Sequence, residues 1–80
     1  MYVHLGGEKI VNGKEIVAIL DFEKTTTSKT TREFLKNAEK KGRVRNVSSD
    51  LPKSYVITKE CVYISQISPA TLLKRNERNG

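Results

Sequence analysis

Catalysis and metal binding draw on residues that this sequence hardly possesses: it has one histidine, His4, and one cysteine, Cys61. A lone cysteine excludes an intramolecular disulfide and any multi-cysteine metal site, and a lone histidine has no second imidazole with which to share a metal. His4 falls in an alternating stretch where a packed or surface imidazole is the ordinary reading. Cys61 opens a strand, where cysteine commonly behaves as a small hydrophobe. A nucleophile, a base and an orienting group cannot be assembled from these residues, and "LGGEK" is too short for a nucleotide-binding phosphate loop. The expectation is a protein that is not an enzyme, with no cofactor and no small-molecule substrate. No apolar run approaches the roughly 20 residues of a membrane span, and "MYVHLGGEK" lacks the charged and apolar regions of a signal peptide. No membrane partner is expected, and the reading is a cytoplasmic protein. Aromatics are scarce too: Tyr2, Phe22, Phe34, Tyr55 and Tyr63 mostly occupy positions expected to pack, which leaves few platforms for stacking RNA bases.

What the chain does carry is positive charge. Its 80 residues have a formal net charge of +6. Residues 1–27 hold three basic and four acidic groups, 28–60 nine and four, and 61–80 three and one, so the excess begins in the middle of the chain. That asymmetry favours an acidic partner such as nucleic acid. One domain of this length buries only about 60% of the surface its unfolded form exposes, so help from oligomerisation is expected.

The opening "YVHL" alternates as a strand does and ends at the turn signal Gly6-Gly7. Asn12-Gly13 then stands between two β-prone runs, the dipeptide typical of a type I′ hairpin. The second run, Ile16 to Leu20, is apolar throughout and reads as a central strand buried on both faces. "EKTTTSKTT" reads as a loop leading into a helix over about 28–41, capped by Ser28 or by Thr30, which forms a capping box with Glu33. Phe34, Leu35 and Ala38 share one face of that helix. Lys40 and Lys41 complement the dipole at its end, and Gly42 suits the left-handed residue beyond it. "RVRNV" reads as a short strand, and "KSYVIT" and "CVYIS" as a hairpin turning at Lys59-Glu60. Ser68 and Pro69 open a short terminal helix, with 76–80 expected to fray. The fold class is α+β: a small antiparallel sheet with two hairpins, one main helix and a short C-terminal helix, in a single domain over 1–80.

Among the basic residues, Lys36, Lys40 and Lys41 read first as a solvated helix face. Arg43 and Arg45 alternate around Val44, so both are expected on one face of a sheet. They would form an anion-binding pair there, although ion pairs to Asp50 or Glu60 would account for them equally well. Lys14, after the Asn12-Gly13 turn, and Lys53, after Pro52, project from loops or strand ends that a duplex can approach. Each neutralised phosphate contributes about −0.9 to the slope of log affinity against log salt. Two or three contacts from one monomer therefore bind feebly at physiological salt. Several copies presenting them on one surface would gain through effective concentration. The residues point to an oligomer if they point to DNA.

"MYVHLG" at 1–6, "EIVAILDF" at 15–22, "EFL" at 33–35, "PKSYVIT" at 52–58 and "ISPATLLKR" at 67–75 together resemble the extracellular matrix regulatory proteins of the RemA/RemB type. The likeness spans residues 1–75 and lies in the ordered series rather than in any one motif. It implies a cytoplasmic, DNA-binding transcriptional regulator linked to biofilm matrix expression, assembled into a ring-like homo-oligomer that holds double-stranded DNA by its phosphates, with a paralogous regulator as a further candidate partner. RemA-like proteins place an arginine near the first hairpin turn, where Lys14 is the nearest basic residue here and the strict match falls on Glu15. They carry paired arginines before the "KSYVIT"-like strand, where this chain has Asp50 and Leu51 and retains only Lys53. Either DNA binding has moved toward Arg43 and Arg45, or the chain binds more weakly and works partly through other proteins. The expected DNA contacts are Lys14, Arg43, Arg45 and Lys53; the rival reading is a protein-interaction scaffold that oligomerises and acts through another regulator.

Overall fold

A computed structural model of the chain describes residues 2–25 and 27–79, the last three as backbone. The strands are β1 (Tyr2–Gly6), β2 (Lys9–Asn12), β3 (Ile16–Asp21), β4 (Val44–Asn46), β5 (Ser54–Thr58) and β6 (Val62–Ser65). The helices are α1 (Phe22–Thr25), α2 (Lys29–Lys40) and α3 (Pro69–Asn79). The class is α+β, as the sequence reading has it. β1 and β2 form a separate two-stranded ribbon, and the remaining strands lie in the order β3-β5-β6-β4. That larger sheet is mixed rather than antiparallel throughout, because β4 runs parallel to β6.

The first hairpin turns one step earlier than expected. β1 and β2 pair through Gly6-Gly7, whose φ angles are +122° and +56°, values that glycine adopts without the cost an L side chain meets. Gly13 has no positive φ, so Asn12-Gly13 cannot make a type I′ turn. Asn12 instead accepts the Lys14 N–H on Oδ1 at 3.0 Å and starts a 3-10 turn over Gly13–Glu15. β3 is accordingly not the partner of β2. It is an edge strand beside β5, and Val17 is 65% exposed, so the expected burial on both faces does not hold.

Local signals elsewhere act as expected. Ser28 caps α2 by accepting the Thr31 N–H, and the alternative box between Thr30 and Glu33 is not used. Gly42, at φ +70°, closes the helix. One short helix was not foreseen in "EKTTTSKTT": Asp21 Oδ1 accepts the N–H groups of Glu23 and Lys24 at 3.0 and 3.1 Å, which is enough to wind α1. Ser68 caps α3, with Pro69 as its first residue, and the helix continues to Asn79, beyond the expected fraying point.

Register then decides what is buried. Val56 stands opposite both Ile19 and Tyr63, so the three share a face of the larger sheet. Val3, Leu5 and Val11 from the ribbon and Leu72 from α3 close over that face, and with Val56 they form the buried core. On the other face, Phe22 stacks on Tyr55 with centroids 4.9 Å apart. α2 brings Phe34 and Ala38 over Ile57 and Val62 but leaves a groove of about 500 Å³.

Two measurements check this architecture. Leu72 is fully buried, and Leu72→Ala should lower unfolding free energy by about 2–5 kcal/mol in urea titration, the range for a large core side chain cut to alanine. At Gly7 a Cβ would run into the Val47 carbonyl, and with left-handed backbone strain added, Gly7→Ala should cost about 2 kcal/mol or more. Gly13→Ala lacks the strain part of that penalty, so it is expected to cost less than Gly7→Ala; the reverse order would contradict the hairpin assignment.

Candidate nucleic-acid interface

The four basic residues singled out in the sequence sit around the perimeter of the larger sheet. Lys14 is exposed in the 3-10 turn, next to Glu15, whose carbonyl accepts the Lys59 N–H at 3.2 Å. That bond places it at the end of the sheet where β3 begins and β5 finishes. Arg43 lies at the same end. Its N–H donates to Ala38 O at 2.9 Å and its carbonyl accepts Val62 N–H at 2.8 Å, so the backbone is pinned while the side chain remains exposed. β3 and β4 are the two edges, so three strand spacings, about 14 Å, separate these residues across the sheet.

Lys53 stands at the opposite end. Its N–H donates to Ser65 O at 2.8 Å and its carbonyl accepts Phe22 N–H at 3.0 Å, which fixes the base of an exposed side chain. Arg45 is in the middle of β4, opposite Tyr63. Its Nη1 donates to Gly42 O at 3.1 Å.

The two arginines do not form the expected pair on one sheet face. β4 begins at Val44, so Arg43 lies outside the strand and lines the groove under α2 with Lys41 and Lys59. Arg45 lines a different hollow with Glu8, Lys9 and Tyr63. Neither is ion-paired to Asp50 or Glu60 among the described residues. Lys9, Lys41 and Lys59 thus join the basic set. Lys41 was legible only as a helix-end cation, and Lys59 and Lys9 gave no signal beyond their neighbourhood to turns.

Two tyrosines on this surface keep their protons well above neutral pH. Burial, reinforced by the negative charge of Glu39, raises the Tyr55 phenol. Tyr63 is raised chiefly by its hydrogen bond with Cys61 and then by burial, while Lys9 pulls the other way. Both act as neutral groups near pH 7.

His4 and Cys61 both take part in turns. The His4 imidazole donates from Nε2 to Gly7 O at 2.8 Å and braces the hairpin turn. Cys61 closes the β5–β6 turn: its N–H donates to Thr58 Oγ1 at 3.1 Å, and that hydroxyl donates to Cys61 O at 2.8 Å. Among the described residues no group of three or more His, Cys, Asp or Glu side chains could hold a metal. No described helix is long and apolar enough to cross a membrane. Tyr2 is 67% and Phe34 48% exposed, so these two aromatics pack less than their positions suggest.

What this perimeter of cations can do chemically is neutralise scattered phosphates. Comparison with known proteins places the chain in a family. The profile of a family described as RemA-like, extracellular matrix regulatory protein A-like, matches residues 2–75. The chain is 41% identical over 75 residues to extracellular matrix regulatory protein B of Bacillus subtilis (strain 168), an alignment covering 94% of this chain and 89% of that one. With the match running from β1 into α3, the chain belongs to the RemA-like family of extracellular matrix regulatory proteins and is similar within it to the B type.

Proposed function

We propose that this protein is a cytoplasmic transcriptional regulator of extracellular matrix (biofilm) expression that works as a ring-like homo-oligomer and grips duplex DNA by its phosphates. The observation that supports this most is the set of exposed basic side chains at Lys14, Arg43, Arg45 and Lys53, none of them neutralised by a carboxylate among the described residues. Family membership supplies the regulatory role, since the similar Bacillus subtilis protein is by its description an extracellular matrix regulator. No group in the chain is assigned to catalysis.

Spacing makes assembly part of the reading. Cations at both ends and both edges of a small sheet cannot all face one duplex from a single protomer. Copies arranged side by side would align one subset from each and multiply weak contacts. Apolar surface is available for such packing: Val17 is 65%, Leu51 84% and Leu73 47% exposed, in a chain with a small core. Bound this way, the protein would track backbone geometry and DNA deformability rather than base edges.

A second reading has its own observation. The loop between β4 and β5 presents Leu51 and Asp50 at its exposed tip, a pairing suited to protein rather than phosphate. On that reading the oligomer is a scaffold that acts through another regulator, a paralogue being one candidate.

Fluorescence anisotropy on a duplex of several helical turns, across a salt series, separates the two. DNA gripping by an assembled surface should give a log-log slope steeper than about −4, more than four contacts of one protomer can release. A scaffold would form the oligomer and ignore the duplex. Lys53→Glu and Arg45→Glu should each weaken binding without altering mass by light scattering; full affinity in both would remove these residues from the interface. Val17→Glu and Leu51→Glu should lower oligomer mass and DNA affinity together, and unchanged mass in both would place the protomer contacts elsewhere.

A further inference from the structure

Between the first hairpin turn and the edge strand β4 lies a hollow of about 370 Å³ lined by Glu8, Lys9, Arg45, Asn46, Val47 and Tyr63. The geometry points to a phosphate-binding notch in which Arg45 and Lys9 hold the anion between them. This rests on the DNA reading for the source of the phosphate, and on the residues themselves for the site.

The notch is built by backbone. Gly7 comes so close to the Val47 carbonyl that a Cβ there would collide with it, so the turn is pressed against the chain leaving β4. That approach carries Glu8 and Lys9 to the rim of the edge strand. Arg45 and Tyr63 are direct partners across the β4–β6 pair, which puts their side chains on one face. The Lys9 ammonium sits 5.0 Å from the centroid of the Tyr63 ring. Two residues distant in sequence thereby line one hollow beside the same tyrosine.

Each cation is held without being neutralised. Arg45 spends one N–H on Gly42 O, which steadies the guanidinium. A guanidinium has five donors, and those that remain can present a planar fork to two phosphate oxygens. Lys9 lies over the Tyr63 ring and hydrogen-bonds to its hydroxyl, which orients the cation, and an ammonium's three donors leave N–H groups for another acceptor. An arginine fork beside a lysine point charge suits a phosphate, whose oxygens diverge and carry the charge. Glu8 opposes them with one carboxylate. The notch therefore carries one net positive charge, enough for the single charge of a phosphodiester.

The sign of Glu8 makes the assignment testable in two directions. Lys9 is compared as Lys9→Gln, which keeps most of its reach, and Glu8 as Glu8→Gln; both positions are exposed. Inorganic pyrophosphate is the small probe and duplex DNA the large one, with affinity measured by calorimetry and anisotropy. Acetylation of lysine amines, quantified by mass spectrometry, reports whether each probe shields Lys9. Removing the charge-assisted contact in Lys9→Gln should weaken pyrophosphate binding by about fivefold or more and reduce the DNA salt slope by about 0.9 for each engaged protomer. Glu8→Gln should strengthen both. Shielding of Lys9 by duplex, with opposite effects of the two variants, establishes the notch as a backbone contact. Shielding by pyrophosphate alone keeps the notch, makes its ligand a free phosphorylated molecule and takes these residues out of the DNA reading. DNA binding that leaves Lys9 unshielded and unaffected by either variant overturns the notch while the DNA reading stands. Lack of response to both probes overturns the notch as well.

Discussion

An 80-residue chain can bury one face of a sheet well, and this one spends its apolar side chains on the face around Val56. That valine is fully buried opposite Tyr63 and Ile19, and the β1–β2 ribbon and α3 lie over it through Val3, Leu5, Val11 and Leu72. Little is left for the opposite face, where α2 stands off far enough to leave an open groove. Both edges of the larger sheet are also open, at β3 and β4. A surface with that much uncovered apolar area and unpaired backbone is one that proteins cover by association or blunt with charge. Here charge gathers around the same perimeter, so the limit on core size links the proposed oligomer to the basic rim.

Much of this architecture was legible because short-range chemistry controls it. Ser28 and Ser68 cap their helices through bonds that span three residues, and Gly42 takes a backbone angle that suits it after a helix. The β5–β6 hairpin follows from alternation alone. Where the reading failed, two local signals competed and tertiary packing chose between them. Gly6-Gly7 and Asn12-Gly13 can each reverse a chain. The first pair wins because two glycines let the turn fit against Val47 while the Asn12 side chain is drawn into a 3-10 turn. Once the ribbon closes there, β3 must find β5, and an all-apolar run becomes an edge strand. The parallel pairing of β4 left no sequence mark either, since three residues carry no register signal of their own.

The site was legible as composition and less so as geometry. Lys14, Arg43 and Lys53 are exposed because residues flanking turns and strand ends project from a folded chain, and Arg45 is exposed on the edge strand β4. Their grouping differs from the one alternation implies. Alternation around Val44 implies a pair of arginines on one face, but the strand starts too late to include Arg43, and each arginine looks into a different hollow. Lys9 could not be singled out at all. Its relation to Arg45 exists only once the Gly6-Gly7 turn packs against Val47, just beyond β4, an approach between segments more than 30 residues apart in the sequence.

The loop before β5 shows how the resemblance and the geometry constrain each other. Its ends are locked into the sheet, with Val47 N–H on Ile64 O and Lys53 N–H on Ser65 O, and its interior is shaped by Asn46 and Ser48 side chains accepting the N–H groups of Ser48 and Asp50. A loop held this way presents whatever stands at its tip. The resemblance implies two arginines there; in this chain the tip is Asp50 and Leu51, an acid beside an exposed apolar group. At this loop Asp50 opposes an anion and Lys53, at its base, is the exposed cation nearest in the chain. Arg45 with Lys9 lies at the β4 edge, just before this loop begins, so a duplex could be engaged there while Leu51 is left to a protein neighbour.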